Sequence, residues 1–215
     1  MTTLIVATRN NHKVGEIRAI LGSQFHFLTL RDFPGVPAVV EDAATFSGNA
    51  AKKAIEIARW VSVQGPEFTA HGSRFVLADD SGLEVDALNG APGVHSARFT
   101  ALDSGAEGNS SDAENNAKLL RLLQDTPPEK RTARFRCVIA LTAVDAVAGG
   151  EIDLFDGVCE GRILLRPSGA GGFGYDPLFV PDGYSQTFAE LGEDVKNRIS
   201  HRANALAGLR QRLLN

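Results

Sequence analysis

The amino-acid sequence predicts an α/β protein whose mixed central β-sheet is flanked by helices. In the N-terminal half, short apolar runs alternate with segments of helical spacing, and later two long strand-like segments follow one another. Alternation favours parallel strands joined through helices, whereas consecutive strands favour a hairpin. The 215 residues, 43% of them hydrophobic, suffice for a sizeable core. We therefore expect a single domain over residues 1–215, with two lobes and a cleft between them.

The first third of the chain predicts one strand and two helices. Residues 3–7 form a short apolar run typical of a buried strand, and Asn10 or Asn11 can cap a helix that follows directly. Over residues 45–60 the apolar side chains recur at helical spacing. Residues 63–74 predict a surface loop without chemistry.

Two further pairs of strands are predicted. The apolar run 75–78 and the alternating run 83–88 suggest strands joined by a turn at Asp79–Gly82, because Asp, Ser and Gly favour turns. The long segments 131–144 and 151–167 predict a hairpin with a glycine-containing turn.

Two capping boxes mark helix starts in the second half. Ser111 and Glu114 open the helix SSDAENNAKLLRLLQD, and Thr187 and Glu190 open a second capped segment. A final helix is predicted over Ser200–Leu214.

Composition restricts the class of partner. A net charge of −4 gives no general attraction for nucleic acid or anionic membranes, so an anionic ligand requires a local cluster of cations. Cys137 and Cys159 do not form a CxxC pair, which favours reduced thiols and a cytoplasmic location. There is no basic leader and no apolar run of about 18 residues. We expect no membrane and no nucleic-acid partner.

The lysine at position 53 is difficult to explain by folding alone. A rotation of about 100° per residue places Lys53 between Phe46 and Ile57 on the apolar helix face, whereas Lys52 points outward. Lys53 either extends its amine past the edge of the core or lines a cleft and meets an anion.

A second group of cations surrounds the predicted start of the last helix. The segment KNRISHR holds Lys196, Arg198, His201 and Arg202, with Ser200 as the expected N-cap. Cations at that end oppose the helix dipole by about 0.3–1 kcal/mol each. They form either a solvated basic face or a set of donors for an acceptor-rich ligand.

The segment TRNNHK follows the first strand directly. Thr8 and Asn10 carry side-chain donors, the helix start offers backbone N–H groups, and Lys13 adds a positive charge, which together suit a phosphate. The Walker motif GxxxxGK[ST] is absent. An ordinary strand-turn-helix with a capping Asn remains the alternative.

The acidic and basic groups together predict a metal-assisted anion site. Glu41, Asp79 and Asp80 would repel a polyanion unless a divalent cation lay between them, and Mg²⁺ binds through one or two carboxylates plus phosphate oxygens. The alternative for Asp79 and Asp80 is an acidic turn without function.

Five ordered blocks resemble a known family nearly end to end: ATRNNHK, EDAATFSGNAAKKA, ADDSGLEVDALNGAPGVHSARF, GGFGYDPLF and FAELGEDVKNRISHR. The chain resembles the inosine/xanthosine triphosphate pyrophosphatases. These enzymes hydrolyse nucleoside triphosphates with deaminated purines, such as ITP, dITP and XTP, to the monophosphate and pyrophosphate. The resemblance implies a homodimer and a small-molecule nucleoside triphosphate as substrate.

The resemblance also implies the roles of individual residues. Asp80 matches the catalytic carboxylate, Glu41 and Asp80 match the Mg²⁺ ligands, and Asp79 is expected to assist Asp80. Two departures concern loop shape: Arg9 stands where many members have Gly, and Gly48 where many have Glu. The implied substrate contacts are Thr8, Arg9, Asn10, Asn11, His12, Lys13, Lys53, Ser81, Phe173, Gly174, Tyr175, Asp176, Lys196, His201 and Arg202.

Selectivity for a 6-keto purine follows from hydrogen-bond donors. Adenine presents an amine where the 6-keto purine presents an acceptor, so a site of obligate donors such as Arg202 leaves donor facing donor when ATP enters. Phe173 is expected to stack on the base, or else to be a core residue. Two alternatives stay open: a pyrophosphatase for modified pyrimidine triphosphates and a nucleotide-binding regulator without turnover.

Overall fold

The computed structural model describes residues 1–64, 74–105, 108–146 and 151–214. Most of the predicted surface loop around Gly65 lies outside these ranges, as do the glycines of the predicted hairpin turn at 149–150. Within the described ranges, no helix is both long enough and apolar enough to cross a membrane.

The described strands form one mixed sheet, as the sequence predicts. Its order is β2-β1-β3-β4-β5-β6. β1 pairs in parallel with both β2 and β3, and β6 pairs antiparallel with β5. The strands are β1 Thr3–Val6, β2 His26–Thr29, β3 Arg74–Val85, β4 Thr132–Ala143, β5 Asp153–Ile163 and β6 Phe179–Pro181.

The helices start where the sequence places their caps. Asn10 Oδ1 caps the first helix, and Thr45 caps the second. Both predicted capping boxes are present. The helices are α1 Asn11–Leu21, α2 Phe46–Ser62, α3 Ala101–Ser104, α4 Asp112–Leu122, α5 Phe188–Leu191, α6 Glu193–Ile199 and α7 His201–Leu214.

The chain divides into two compact units, each with its own apolar core. Unit 1 comprises Met1–Asp80, Cys137–Asp156 and Ala205–Asn215, and unit 2 comprises Ser81–Arg136 and Gly157–Asn204. The core of unit 1 contains Leu4, Val6, Ile17, Leu21, Leu77, Ile139 and Leu206, and that of unit 2 contains Leu83, Phe99, Leu119, Phe135, Leu178 and Phe188. The expected two-lobed domain with a cleft stays a prediction.

The predicted turn at Asp79–Gly82 is wrong. β3 runs without interruption through these residues, and Asp79 and Asp80 are only 1% and 5% exposed. The local preference of Asp-Ser-Gly for a turn yields to strand pairing, because both carboxylates find partners on other elements.

The cation-rich segment KNRISHR spans two helices rather than one. Lys196 and Arg198 lie in the last turn of α6, where positive charge complements the helix dipole. The dipole argument is therefore wrong for these two residues. It holds for His201 and Arg202, which begin α7. Ser200 Oγ accepts the Ala203 N–H at 3.2 Å, as expected of an N-cap.

Candidate functional site

Asp79 is the centre of a buried ion pair in unit 1. Its side chain is fully shielded from solvent, and Lys13 Nζ lies 2.5 Å from Oδ1. The thiol of Cys137, on β4, donates to Oδ2 at 3.2 Å. Because a buried carboxylate is costly unless it is paired, these contacts allow Asp79 to lie inside the sheet. They also hold the Lys13 ammonium beside β3.

The negative charge of Asp80 is compensated less fully than that of Asp79. Asn49 Nδ2 donates to Asp80 Oδ2 at 3.0 Å, and Asn49 is itself fixed because its Oδ1 accepts the Ala43 N–H at 2.8 Å. The pKa of Asp80 is raised to about 6, mainly by burial and to a lesser extent by the negative charge of Glu41, against the opposing effects of Lys13, Asn49 and Lys53. Asp80 is therefore a carboxylate that titrates near neutrality.

Lys53 is buried on the apolar face of α2, as its helical position predicts. Its Nζ lies 2.7 Å from Glu41 Oε1 and donates to the Asp79 backbone oxygen at 3.1 Å. Lys52 instead pairs with the exposed Asp42. The alternative that Lys53 extends past the core edge is wrong, since its ammonium binds oxygen atoms of the protein itself.

Glu41 and Asp80 fit a magnesium site. The described ranges contain no group of three or more His, Cys, Asp or Glu side chains arranged to hold a metal, so a site built from protein ligands alone does not lie there. Mg²⁺ needs only one or two carboxylates when water and phosphate oxygens complete its shell. The charge of Glu41 raises the pKa of Asp80, and a bound cation would relieve that repulsion.

The first loop is more fully hydrogen-bonded than the sequence suggests. Asn10 Oδ1 accepts the backbone N–H groups of His12 and Lys13, at 2.9 and 3.2 Å, and Thr8 Oγ1 accepts the N–H of Asn10. The helix start was expected to offer free N–H groups, which is wrong for these two, while binding of phosphate by the loop stays a prediction. Arg9 Nη2 donates to the Val36 oxygen at 3.1 Å and ties this loop to the next.

In unit 2, Ser81 and the first turn of α7 come together. The Arg202 side chain is completely buried, and its Nη2 donates to Ser81 Oγ at 2.9 Å. The His201 ring stacks on Phe135 with centroids 4.8 Å apart and planes 15° apart. A guanidinium held in this way is a fixed set of donors in a region with little competing water.

The loop FGYD contains a second buried ion pair. Asp176 Oδ2 accepts both the Phe173 N–H, at 2.9 Å, and the Lys196 ammonium, at 2.5 Å. Lys196 Nζ also lies 4.3 Å from the centre of the Phe173 ring, close enough for a cation–π interaction. Phe173 is half-buried, so the alternative that it is a core residue is wrong.

Tyr175 has a structural contact in this loop. Its hydroxyl donates to the Ser96 oxygen at 2.9 Å, and burial raises its pKa. Ser96 in turn accepts the Leu83 N–H from β3 and donates to the Gly93 oxygen. The hydroxyl of Tyr175 therefore fixes the loop to the segment Gly93–Arg98.

Sequence reasoning missed several contact residues. Asn49 lies one helical turn before Lys53 on the same face of α2, and this spacing was the available signal. For Cys137, the sequence indicates only the redox state and not the contact with Asp79. No local sequence pattern relates the FGYD loop to its hydrogen-bond partners Ser96, Asp112 and Asn116.

Comparison with known proteins gives this architecture a family. An α/β sheet that carries fixed lysine side chains beside carboxylates is of the class that binds anionic ligands. The sequence model of the Ham1 family matches residues 4–212. The chain belongs to the Ham1 family.

Individual relatives cover nearly the whole chain. The dITP/XTP pyrophosphatase of Desulforamulus reducens is 50% identical over 204 residues, 94% of this chain and 91% of the relative. That of Geobacter sulfurreducens is 49% identical over 99% of this chain and 97% of the relative. Among solved structures, a HAM1 protein from Coxiella burnetii superposes with a TM-score of 0.79 at 37% identity, covering 100% of this chain and 99% of that one.

The pKa of Asp80 generates a prediction for the metal-free protein. A folded-state pKa of about 6, against 3.8 for the ordinary side chain, means that the folded state binds the proton more tightly. The stability that this gives is present below about pH 4 and is lost as the pH rises through 6, a loss of about 3 kcal/mol. Asp80→Asn should therefore be more stable than the wild type at pH 8, and the difference should shrink at pH 4.

Urea unfolding in EDTA at the two pH values measures this difference. Asp42→Asn is the matched control, because Lys52 lowers the pKa of the exposed Asp42, so that this substitution should give no gain at pH 8. Equal stability of Asp80→Asn and the wild type at pH 8 would contradict the raised pKa of the buried Asp80 carboxyl.

The glycine before Phe173 generates a second prediction. Gly172 has φ +73°, and a Cβ there would overlap the Asp176 carboxylate, with Asp176 Cβ only 2.9 Å away. Gly172→Ala should lower the free energy of unfolding by about 2–4 kcal/mol, through backbone strain and overpacking together. Gly183 has φ +82° but open space, so Gly183→Ala should cost only the strain, about 1–2 kcal/mol. Urea titration compares the two, and equal losses would refute the clash.

Proposed function

We propose that the chain hydrolyses non-standard purine nucleoside triphosphates, namely ITP, dITP and XTP, to the nucleoside monophosphate and pyrophosphate. The observation that carries this proposal is the 49% identity over 99% of the chain to a dITP/XTP pyrophosphatase. Water attacks the α-phosphorus and the bond to the oxygen that bridges to the β-phosphate breaks. The consequence for the cell is removal of deaminated purines from the nucleotide pool.

The phosphates are assigned to the cations of unit 1. At about 4 Å and an effective dielectric constant of about 20, one charge pair contributes roughly 4 kcal/mol before desolvation, so one lysine does not hold a triphosphate. Lys13 and Lys53 are each already fixed by a carboxylate, at 2.5 and 2.7 Å. Further polar groups come from Thr8 and Asn10, which follow the C-terminal end of β1. The lysines are thus positioned before the ligand arrives, which lowers the cost of ordering them.

Asp80 is assigned as the base that orients and deprotonates the attacking water. A general base must be ionised at the working pH. The pKa of Asp80 in the metal-free protein is raised to about 6, so the carboxylate is largely ionised at pH 7–8, and a bound cation would favour the ionised form further. Asn49 fixes Oδ2, so the carboxylate is held in one orientation.

Glu41 and Asp80 would hold the Mg²⁺ ion. When bound, the ion supplies neutralising charge to the phosphate oxygens and to the leaving pyrophosphate. Lys53 contacts Glu41 at 2.7 Å and so fixes the orientation of one proposed ligand. Lys13 and Lys53 contribute positive charge where the leaving group develops its negative charge.

Base selectivity is assigned to donors in unit 2. Arg202 has no acceptor atoms and is fixed by its hydrogen bond to Ser81, so its chemistry matches the 6-keto oxygen but not the adenine amine. Each unpaired buried donor costs about 1–3 kcal/mol. Phe173 is half-buried and offers an aromatic surface for the purine.

The family resemblance supports two further proposals, that the protein acts as a homodimer and that it works in the cytoplasm. Cys137 and Cys159 are buried cysteines that form no disulfide, in keeping with a reducing compartment.

A substrate panel tests the proposed function. Pyrophosphate release is measured with ITP, XTP, dUTP, dTTP, ATP and GTP in the presence of Mg²⁺. We expect kcat/KM for ITP and XTP to exceed that for ATP by about 100-fold or more, the result of two unpaired donors. A preference for pyrimidine triphosphates would replace the assigned substrate class.

Asp80→Asn separates catalysis from binding. Loss of a positioned general base costs about 10²–10⁴ in rate, so kcat for ITP should fall at least 100-fold while ITP still binds, as measured by calorimetry. Asp42→Asn, an exposed carboxylate on the same segment as Glu41, should leave kcat unchanged. A wild type that binds ITP without turnover in Mg²⁺ would favour the regulator over the enzyme.

A further inference from the structure

Two side chains of helix α4 form hydrogen bonds with the backbone N–H and C=O of Gly174 in the FGYD loop. The Gly174 N–H donates to Asp112 Oδ2 at 2.7 Å, and the Gly174 oxygen accepts from Asn116 Nδ2 at 3.0 Å. Asp112 and Asn116 are four residues apart, so they lie one above the other on the same helix face. We call this pair the Gly174 clamp.

The two clamp residues are not explained by packing. Asp112 is exposed and Asn116 is half-buried, and neither belongs to the apolar core of unit 2. Asn116 Oδ1 is buried without a hydrogen-bond partner in the described part of the chain, so the contact with Gly174 is what orients its amide. The capping of α4 is performed by Ser111 and Glu114, which leaves Asp112 available for Gly174.

Gly174 needs such a constraint because of its backbone. Its φ is +61°, and a Cβ there would meet nothing within 4 Å. Glycine is therefore present for conformation rather than for space, and it samples a wide range of φ and ψ unless contacts restrict it. Phe173 lies between Gly174 and Gly172, whose φ is +73°. The backbone at these two glycines therefore sets the direction in which the Phe173 side chain leaves the loop.

The rest of the loop is fixed from other elements. Tyr175 is tied to Ser96 and Asp176 to Lys196, and the Lys196 ammonium lies 4.3 Å from the Phe173 ring centre. Asp176 also holds the backbone of Phe173, since it accepts the Phe173 N–H and donates its own N–H to the Phe173 oxygen, at 2.9 and 3.2 Å. The Gly174 clamp adds an anchor from α4 to the residue that follows Phe173.

We propose that Asp112 and Asn116 are positioning residues that fix the Gly174 peptide and thereby orient Phe173 for stacking on the purine base. The inference rests on the proposed function and adds residues that do not touch the substrate. Stacking depends on the angle between the two ring planes, so release of the clamp weakens base binding. The chemistry at Asp80 is left intact, which separates the effect on KM from that on kcat.

The experiment compares four variants of the full chain with ITP as substrate. Asp112→Ala and Asn116→Ala should each raise KM by about 10-fold, the worth of one base–aromatic stack, with kcat within about 3-fold of the wild type. Asp112→Asn keeps an acceptor for the Gly174 N–H and should restore KM to within about 3-fold. Glu114→Ala removes the capping box from the same helix turn without contacting Gly174, and should lower Tm while leaving KM unchanged.

Hydrogen exchange adds a readout that does not depend on turnover. The Gly174 amide should exchange at least 10-fold faster in Asp112→Ala than in the wild type or in Glu114→Ala. An unchanged KM in both alanine variants of an active enzyme would overturn the inference and leave the proposed function standing. So would a KM raised equally by Glu114→Ala, which would indicate a loss of helix stability. A wild type inactive on ITP and XTP would overturn the proposed function and the inference with it.

Discussion

The burial of two consecutive carboxylates in the middle of β3 is the constraint on which unit 1 depends. Successive side chains of a strand point to opposite faces, and Asp79 and Asp80 accordingly have different partners. Asp79 receives an ammonium and a thiol, whereas Asp80 receives an amide. An amide compensates a negative charge less fully than an ammonium. Burial therefore raises the pKa of Asp80 to about 6, because the hydrogen bond from Asn49 offsets only part of its effect.

The positions of the surrounding elements follow from this constraint. Lys13 must extend from α1 to β3, Asn49 and Lys53 must occupy the inner face of α2, and Glu41 must approach Lys53. A carboxylate whose burial costs about 3 kcal/mol at neutral pH is a poor choice for stability alone. Such a cost is typical of a residue kept for chemistry, because sites that need an unusual pKa are destabilised relative to a purely structural solution.

Local signals in the sequence predicted the elements that local physics determines. The apolar spacing of α2 was sufficient to place Lys53 inside and Lys52 outside, and the caps at Asn10, Ser111 and Thr187 fixed helix starts. The turn at Asp79–Gly82 was wrong because the groups that keep these residues in a strand are distant: Lys13 is 66 residues away and Cys137 is 58. The Gly174 clamp joins residues 62 and 58 positions apart, and no periodicity records such a pair.

The lysine at position 196 shows why the second unit also contains buried charge. A buried ion pair is weak evidence for stability, since well-packed apolar residues often serve equally well. The Asp176 carboxylate, however, must also accept the Phe173 N–H at 2.9 Å, which no apolar side chain can do. Lys196 neutralises that carboxylate and contacts the Phe173 ring. In both units, then, a lysine compensates a carboxylate whose other contacts set the geometry of the site. The charge in each pair serves to define a conformation more than to hold the fold together.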